Sequence, residues 1–367
     1  MRVVHYHPEM FLGESGTASA ARGWAEAIKS LGVPVLALVD GDSIRLPPSK
    51  DLPVVALTHK LRGRARVPVH FVDLLQPGDV VVLHGGWVLS NAVVASSAAR
   101  RGVPFVVTAH AVYSPHVFGS RRFAKWLWVN AVERKELERA LAVHFFFSEE
   151  LDGLERLHVH TPTIIAPNGI ATPFDRAWDG GSGGYLLWLG RFSPHHKGLD
   201  LLLRALHELA PDSRPKLRLH GPDWRSQKEV VQALVRELDL GRWVHIGDPV
   251  YGDDKWELIR RSTACVYPSR WEGCSMAVLE AISLGVPTLV TPYAMGESLA
   301  NDGAVIRAGW SPRDIADGIL RLRSPEAREV GRRASEIART KFDWRTVAES
   351  WLRQVADRIA ATTACQC

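Results

Sequence analysis

The sequence predicts an α/β protein of two domains, each built on a parallel β-sheet wrapped by helices. Short, nearly continuous apolar runs such as VPVLALVD and DVVVLHGG alternate with helical patterns, as strands buried on both faces do. Residues 168–184 are rich in Gly, Pro and Asp and separate two such series, which is typical of a linker. The 367 residues are enough for two domains. We therefore expect a ligand cleft between the carboxyl edges of two sheets.

Residues 1–170 carry the elements of the first predicted domain. RVVHYH opens as a strand, and GESGTASAARGWAEAIKSLG follows as a loop and a helix that ends at Gly32. The later predicted strands, some with helical segments between them, are VPVLALVD, DVVVLHGG, VPFVVTAHA, HFFFSEE and TIIAPNG.

Residues 171–342 carry the second series. Its predicted strands and helices, in order, are YLLWLG, KGLDLLLRALHEL, KLRLHG, SQKEVVQALVRELDL, WVHIGD, WELIRRS, ACVYPS, MAVLEAISLG and PTLVT. Residues 343–367 are expected to form a last amphipathic helix, with no strand after it, and a disordered tail.

Composition narrows the possible classes of protein. The net charge of +5 permits an anionic ligand or a membrane surface but does not demand nucleic acid. No apolar run reaches the roughly 18 residues that span a bilayer, and no signal-peptide core is seen. The four cysteines show no zinc-ligand spacing. We expect a cytoplasmic protein with reduced thiols.

One candidate anion site lies in YLLWLGRFSPHHKGLDLLL. A strand ends at Gly190, the following loop carries Arg191 and Lys197, and a helix starts near Gly198. Two cations beside a helix N-terminus suit a diphosphate. A solvated loop with unrelated basic residues is the alternative. His195 and His196 are expected at the loop surface rather than as metal ligands.

A second pattern lies in YPSRWEGCSMAVLEAISLGVP. Ser275 is a favourable N-cap, and Gly285 suits the position just after a helix. Glu272 and Glu280 would then lie up to roughly 12 Å apart, with free amides between them. Carboxylates at each end can accept hydrogen bonds from hydroxyls while the amides hold phosphates. A capping acid and a solvated helix residue are the alternative. The sequence GDD (252–254) precedes a helix and is interpreted as a cap rather than a metal site.

Taken together, these patterns resemble the retaining glycosyltransferases of family 4, or glycosyl transferases group 1, which have the GT-B fold. PNGI (167–170) resembles the segment that closes the family's first Rossmann-like domain. FDW (342–344) resembles the start of the terminal helix that returns to that domain. Gly16 falls on the second glycine of the family's GG pair, with Ser15 in place of the first.

The resemblance implies a role for each matching residue. Arg191 and Lys197 would neutralise the leaving diphosphate, Glu272 would contact the donor sugar, and Glu280 would bind the ribose. His110, in a strand end resembling the family's T-x-H-G, would lie near the transferred sugar, with Ala111 in place of the usual Gly or Asp. The full set implied to bind the donor is Gly16, Arg191, Lys197, Glu272, Gly273, Cys274, Ser275, Met276, Ala277 and Glu280. The implied catalytic residues are His110, Glu272, Arg191 and Lys197.

The implied reaction moves a hexosyl-type sugar from a UDP or GDP sugar to a hydroxyl acceptor, with retention and without a metal or other cofactor. His84, which ends a strand, either contacts the acceptor together with His110 or is a satisfied structural histidine. The acceptor is left open among an oligosaccharide, a small metabolite and a lipid-linked hydroxyl.

Residues 118–140 bear on a lipid-linked acceptor. They read as an amphipathic helix that could lie on the inner face of an anionic membrane, with Trp126 and Trp128 at the interface and Arg121, Arg122 and Lys125 on headgroups. A surface helix with buried tryptophans is the alternative, and Glu133, Glu136 and Glu138 dilute its charge.

Three other classes of protein make different demands on the sequence. An oxidoreductase or epimerase would need a G-x-G-x-x-G after the first strand, and GESGTAS has the wrong spacing. A sugar phosphorylase of the same fold would carry pyridoxal phosphate, which absorbance detects. A non-catalytic nucleotide-sugar-binding relative is disfavoured because all four charged donor-site positions are present.

Overall fold

The computed structural model of the protein describes residues 1–12, 15–41, 44–48, 51–60, 66–115, 122–171 and 176–366. The chain divides into two compact units. One unit comprises Met1–Gly169 and Trp344–Cys367, and the other comprises Ile170–Asp343.

The first unit is built on an eight-stranded sheet. Its strands are β1 (Arg2–Tyr6), β2 (Val35–Asp40), β3 (Val54–Lys60), β4 (Val67–Val69), β5 (Asp79–His84), β6 (Phe105–Thr108), β7 (Ala142–Phe145) and β8 (Thr163–Ile165). They are arranged in the order β4-β3-β2-β1-β5-β6-β7-β8. All neighbours are parallel except β3 and β4. The strand order reverses between β1 and β5, so their carboxyl ends form the crevice where such sheets bind ligands.

Helices cover both faces of this sheet. They are α1 (Gly16–Ser30), α2 (Leu89–Arg100), α3 (Arg122–Trp128), α4 (Arg134–Arg139) and α5 (Asp152–Arg156), with a π-helical turn at Val129–Glu133 joining α3 to α4. The helix α14 (Trp344–Gln366) packs on α1.

The contact between α1 and α14 is aromatic. The Trp24 ring lies 5.5 Å from that of Trp344 and 6.0 Å from that of Trp351. A Cβ atom at Gly23 would come within 2.1 Å of the Trp344 ring, so only glycine allows this approach. The chain thus returns from the second unit into the core of the first.

The second unit is built on a six-stranded parallel sheet in the order β11-β10-β9-β12-β13-β14. Its strands are β9 (Tyr185–Leu189), β10 (Lys216–His220), β11 (Val244–Gly247), β12 (Ala264–Tyr267), β13 (Thr288–Val290) and β14 (Ile306–Arg307). The strand order reverses between β9 and β12, which places the loops after these two strands at the ligand-binding edge.

The helices of the second unit run between these strands and beyond them. They are α6 (Pro194–Lys197), α7 (Leu199–Glu208), α8 (Gln227–Glu237), α9 (Gly252–Arg260), α10 (Met276–Ser283), α11 (Ala294–Asn301), α12 (Pro312–Arg321) and α13 (Pro325–Lys341). Among the helices that the structure describes, none combines the length and the apolar character that a bilayer-spanning segment needs.

The predicted α/β class is confirmed, and each apolar run named above contains a strand. The strands β3, β4 and β14 were not predicted, nor were the helices α11 to α13. The sequence KLRGRAR (60–66) holds four basic residues in seven. Its residues 61–65, and Arg121, lie outside the described residues. The helix α14 continues to Gln366, through the stretch expected to be a disordered tail.

Candidate active site

Arg191 follows β9, and among the described residues no carboxylate forms a salt bridge with it, although the Glu272 carboxylate is close enough to act on its charge. Its guanidinium lies over the Trp224 ring, 4.4 Å from the centroid. Its Nε is buried and finds no hydrogen-bond partner within the described ranges. Burial lowers the pKa of Arg191, but a guanidinium stays protonated at neutral pH. A half-buried cation in this state is suited to an anionic ligand.

Lys197 and Glu272 form an ion pair beside this arginine. The Lys197 Nζ donates to Glu272 Oε1, which also accepts a 3.0 Å hydrogen bond from Ser269 Oγ. Burial acts to raise the pKa of Glu272, but Lys197 and these hydrogen bonds lower it below its usual value. Glu272 is therefore an ionised carboxylate at neutral pH and can accept hydrogen bonds from hydroxyls.

The segments that carry Lys197 and Glu272 are held together by side-chain contacts. Arg270 donates to both carboxylate oxygens of Asp200, at 2.8 and 2.7 Å. The His196 ring stacks on Trp271 with centroids 4.4 Å apart, and its Nε2 donates to the Trp271 carbonyl at 2.9 Å. A Cβ at Gly198 would lie 1.8 Å from the Pro268 carbonyl oxygen. His196 therefore packs between α6 and the loop after β12, and the prediction that it lies at a loop surface is wrong.

The helix α10 begins after the N-cap Ser275, as predicted. At its other end Gly285 takes a φ of 82°, and the amide of Val286 donates to the Ala281 carbonyl at 3.1 Å, which is the Schellman arrangement. The Ser275 amide donates to Met295 Sδ at 3.2 Å. It is therefore not free, and the prediction that it would be free is wrong.

Three amides at the start of α10 have no acceptor among the described residues. They belong to Gly273, Met276 and Ala277. Unpaired amides at a helix start, next to Arg191 and Lys197, are suited to holding phosphate oxygens.

Glu280, in the second turn of α10, is not a solvated helix residue. Its Oε1 accepts a 2.7 Å hydrogen bond from Lys255 Nζ on α9, and its side chain is only 12% exposed. Lys255 therefore holds the carboxylate in one place on the same unit as Glu272.

The first unit carries buried histidines at its own switch point. His84 ends β5 and His110 follows β6, and their Nδ1 and Nε2 atoms lie 3.1 Å apart. The Nε2 of His84 lies 3.0 Å from Nδ1 of His5. Burial lowers the pKa of His5 and of His110 to about 3, and lowers that of His84 well below its usual value. All three rings are neutral at neutral pH.

Two backbone features flank this histidine group. His110 and Ala111 both have positive φ, 48° and 60°, so Ala111 adopts a conformation that glycine takes more easily. Gly16 is the first residue of α1, where the side chain of Ser15 accepts from the Ala18 amide at 3.2 Å. Ser15 thus serves as the N-cap in place of the family's first glycine.

A search of the described residues for three or more His, Cys, Asp or Glu side chains able to hold a metal ion finds none. Asp253 and Asp254 lie in the first turn of α9. The carboxylate of Asp253 accepts from Arg176 at 2.8 Å.

Comparison with known proteins agrees with this geometry in both units. The family described as "Glycosyl transferase 4-like domain" matches residues 15–169. The family described as "Glycosyl transferases group 1" matches residues 183–324. The chain belongs to glycosyltransferase family 4.

Known relatives of this glycosyltransferase cover most of its length. D-inositol 3-phosphate glycosyltransferase of Frankia alni is 27% identical over 89% of this chain and 90% of that protein. Among solved structures, sucrose-phosphate synthase from Thermosynechococcus elongatus has a TM-score of 0.79 at 16% identity, covering 98% of this chain and 99% of that one. Anabaena HepE in complex with UDP-glucose has a TM-score of 0.78 at 17% identity, covering 98% and 100%. These structural likenesses show the GT-B fold.

In this glycosyltransferase the structure gathers most of the predicted donor-site residues on one unit. Arg191, Lys197, Glu272, Gly273–Ala277 and Glu280 all lie on the second unit, at the carboxyl edge of its sheet and on α10. Gly16, His84 and His110 lie on the first. Their individual roles stay predictions. For His84, both ring nitrogens already contact histidines, which leaves neither for an acceptor in this structure.

Sequence reasoning missed several residues that support the site. They are Ser269, Trp224, Lys255, Met295 and His5. Ser269 lies within YPSRW, and His5 lies at the end of the first predicted strand. Their positions in the sequence could therefore have indicated that they lie near the site. Trp224, Lys255 and Met295 gave no such indication, because each comes from a different loop or helix.

Proposed function

We propose that this glycosyltransferase moves a hexosyl sugar from a UDP or GDP sugar to a hydroxyl acceptor, with retention of configuration and without a metal ion. The observation that carries the proposal is Arg191, a half-buried cation that forms no salt bridge with a carboxylate among the described residues and lies beside the Lys197–Glu272 pair. Such a cation is suited to a leaving diphosphate.

The reaction breaks the bond between the anomeric carbon and the diphosphate. The bonding electrons leave with the diphosphate oxygen, and positive charge develops on the sugar. Arg191, Lys197 and the amides of Gly273, Met276 and Ala277 stabilise the growing negative charge. The acceptor oxygen attacks the face from which the diphosphate departs, and a diphosphate oxygen takes the acceptor's proton. Fixed cations do here what a bound metal ion does in other transferases.

The remaining residues hold the donor. Glu272, ionised at neutral pH, accepts hydrogen bonds from hydroxyls of the transferred sugar, and Glu280 accepts from the ribose. We propose that the Gly16 amide contacts the distal phosphate and that His110 contacts the transferred sugar.

A binding screen followed by a transfer assay tests this proposal. UDP or GDP at 100 times its dissociation constant is expected to stabilise the protein by about 2.7 kcal/mol, seen as a higher melting temperature. The matching nucleotide sugar is then offered with candidate acceptors, and NMR of the product identifies the anomeric configuration. We expect the donor's configuration to be kept and EDTA to have no effect. Inversion, or loss of activity in EDTA, would contradict the respective part of the proposal.

The other classes give different results in the same assays. A sugar phosphorylase would show pyridoxal phosphate absorbance, and an epimerase would convert the nucleotide sugar with no acceptor present. A non-catalytic relative would bind the nucleotide but transfer to no acceptor. Binding without transfer to any of the three acceptor classes, and without conversion of the nucleotide sugar, would favour this last class.

The names of relatives suggest which acceptors to test first. They include D-inositol 3-phosphate glycosyltransferase and the mannosylfructose-phosphate synthase of Agrobacterium fabrum, which is 27% identical over 56% of this chain and 49% of that protein. We propose a small phosphorylated polyol as the first acceptor class, with an oligosaccharide as the next.

A lipid-linked acceptor is the second candidate, because α3 presents an apolar surface. Phe123, Trp126 and Leu127 are 76%, 60% and 55% exposed. Trp128 instead turns inward and donates from Nε1 to the buried Glu133 at 2.7 Å. Glu133 and Glu136 are both buried. They therefore do not dilute the positive charge of the helix surface, contrary to the prediction. This surface is suited to peripheral contact with a bilayer.

Vesicle co-sedimentation tests the membrane contact. We expect the Trp126→Ser/Leu127→Ser variant to bind anionic vesicles about tenfold or more weakly than the native protein, because each apolar side chain contributes roughly 1.5–3 kcal/mol when fully buried. Val230→Ser, which removes an equally exposed apolar side chain from the second unit, serves as the control and should not change binding. Native protein that stays in the supernatant with anionic vesicles would rule the contact out.

A further inference from the structure

Three histidines from neighbouring strands of the first unit form a hydrogen-bonded chain. His5 Nδ1 lies 3.0 Å from His84 Nε2, and His84 Nδ1 lies 3.1 Å from His110 Nε2. The nearby His144 is not a member, because its Nε2 donates to the Ala166 carbonyl at 2.8 Å and its Nδ1 contacts Thr108 Oγ1. The chain begins in the core, where His5 is 1% exposed, and ends at the half-buried His110.

Proton counting leaves this chain two arrangements. A neutral imidazole has one N–H and one bare nitrogen, and burial keeps all three rings neutral by lowering their pKa values. Each of the two contacts needs one N–H and one bare nitrogen. Therefore either every ring donates towards His110, or every ring donates towards His5. Choosing the tautomer of one ring determines the other two.

The two ends of the chain differ in their surroundings. The Nε2 of His5 is buried, and no atom in the described part of the chain forms a hydrogen bond with it. Donation towards His5 would leave an N–H at this position with no acceptor among the described residues, and a buried donor without an acceptor carries the full cost of its desolvation. Donation towards His110 places a bare nitrogen there and moves the N–H to His110 Nδ1. No partner of that nitrogen is found among the described residues, and it is not among the fully buried atoms.

We infer that His5 and His84 are positioning residues that hold His110 in the tautomer with its proton on Nδ1. His110 then presents an N–H donor at the carboxyl end of β6. A donor in this place can bind a hydroxyl or ring oxygen, and cannot accept a proton through the same nitrogen.

The inference rests on the proposed function in one respect: the oxygen that His110 contacts would belong to the transferred sugar. It also gives His84 a role that does not require contact with the acceptor. His110 acts by hydrogen bonding, so the acceptor's proton passes to the diphosphate and not to this imidazole.

NMR of protein labelled with 15N in histidine tests the tautomer directly at pH 7. The shifts of the two ring nitrogens and their couplings to the ring carbons' protons identify which nitrogen carries the proton, and the His110→Phe spectrum assigns the signals. We expect the Nδ1–H form of His110 in the native protein. The Nε2–H form in the native spectrum would overturn the inference without any variant being needed.

Two variants of His84 test how the tautomer is held. His84→Leu removes the donor to His110, and we expect His110 to show both tautomers. In His84→Asn the amide nitrogen takes roughly the place of Nδ1 and can still donate, so the Nδ1–H form should return. An unchanged His110 spectrum in His84→Leu would show that the chain does not hold the tautomer.

Activity provides the second readout. With a donor and acceptor found as above, kcat should fall about tenfold in His84→Leu, the value of roughly one hydrogen bond, and recover largely in His84→Asn. The KM for the donor should change little, since the residues proposed to hold the nucleotide are unchanged in this variant. If the native protein transfers no sugar, the proposed function fails while the NMR result still decides the inference.

Discussion

Replacing Lys197 by Met is expected to lower kcat and kcat/KM together by about 10²–10³-fold, as removal of one preorganised group that stabilises developing charge does. Lys197 is the cation that is already paired with Glu272, and its side chain is only 18% exposed. Its charge is therefore little screened by water. Steady-state kinetics with a saturating acceptor would measure the loss.

The same substitution also affects stability, so the two effects must be separated. Without Lys197, the hydroxyl of Ser269 is the remaining hydrogen-bond donor to the Glu272 carboxylate among the residues that the structure describes. We expect a loss of about 1–3 kcal/mol. The double variant Lys197→Met/Glu272→Gln removes both charges and should regain much of this stability but none of the activity. Lys341→Met breaks a surface ion pair with Asp302 and should leave activity unchanged. A folded Lys197→Met variant with native kcat/KM would refute the proposed role.

Much of the fold could be predicted because a buried parallel strand has a recognisable pattern in its own sequence. β2, β5 and β9 are buried throughout, so each appears as a nearly continuous apolar run. β3 alternates exposed and buried residues near the edge of its sheet, and β14 has two residues. Neither leaves a pattern that distinguishes it from a loop, because its pairing comes from the neighbouring strand.

The candidate site divides in the same way. Arg191, Lys197 and Glu272 could be named because each follows a strand end in a recognisable order. The groups that hold them could not be named, since Trp224 and Lys255 reach Arg191 and Glu280 only after the fold has formed. The contact of His5 with His84 depends on β1 and β5 being neighbours in the sheet, and no local pattern records which strands pair.

Replacing Trp351 by Ala is expected to lower the free energy of unfolding of the first unit by about 3–5 kcal/mol, the cost of removing a buried tryptophan. Trp351 is 1% exposed on α14, with its ring 6.0 Å from that of Trp24 and 6.3 Å from that of His144. Such a loss is a large part of the 5–15 kcal/mol that stabilises a typical domain. The exposed Arg353, two residues later in the same helix, gives the control Arg353→Ala, with a change within about 0.5 kcal/mol.

Denaturant unfolding would measure this loss of stability. Hydrogen exchange of the backbone amides would show in which unit the loss occurs. Because α14 belongs to the first unit, amides of β1, β5 and β7 should lose protection in Trp351→Ala. Amides of β9 and β12 belong to the second unit, which has its own sheet and core, and should keep theirs. An equal loss in both sheets would mean that the units unfold together, and that α14 stabilises the whole chain and not the first unit alone.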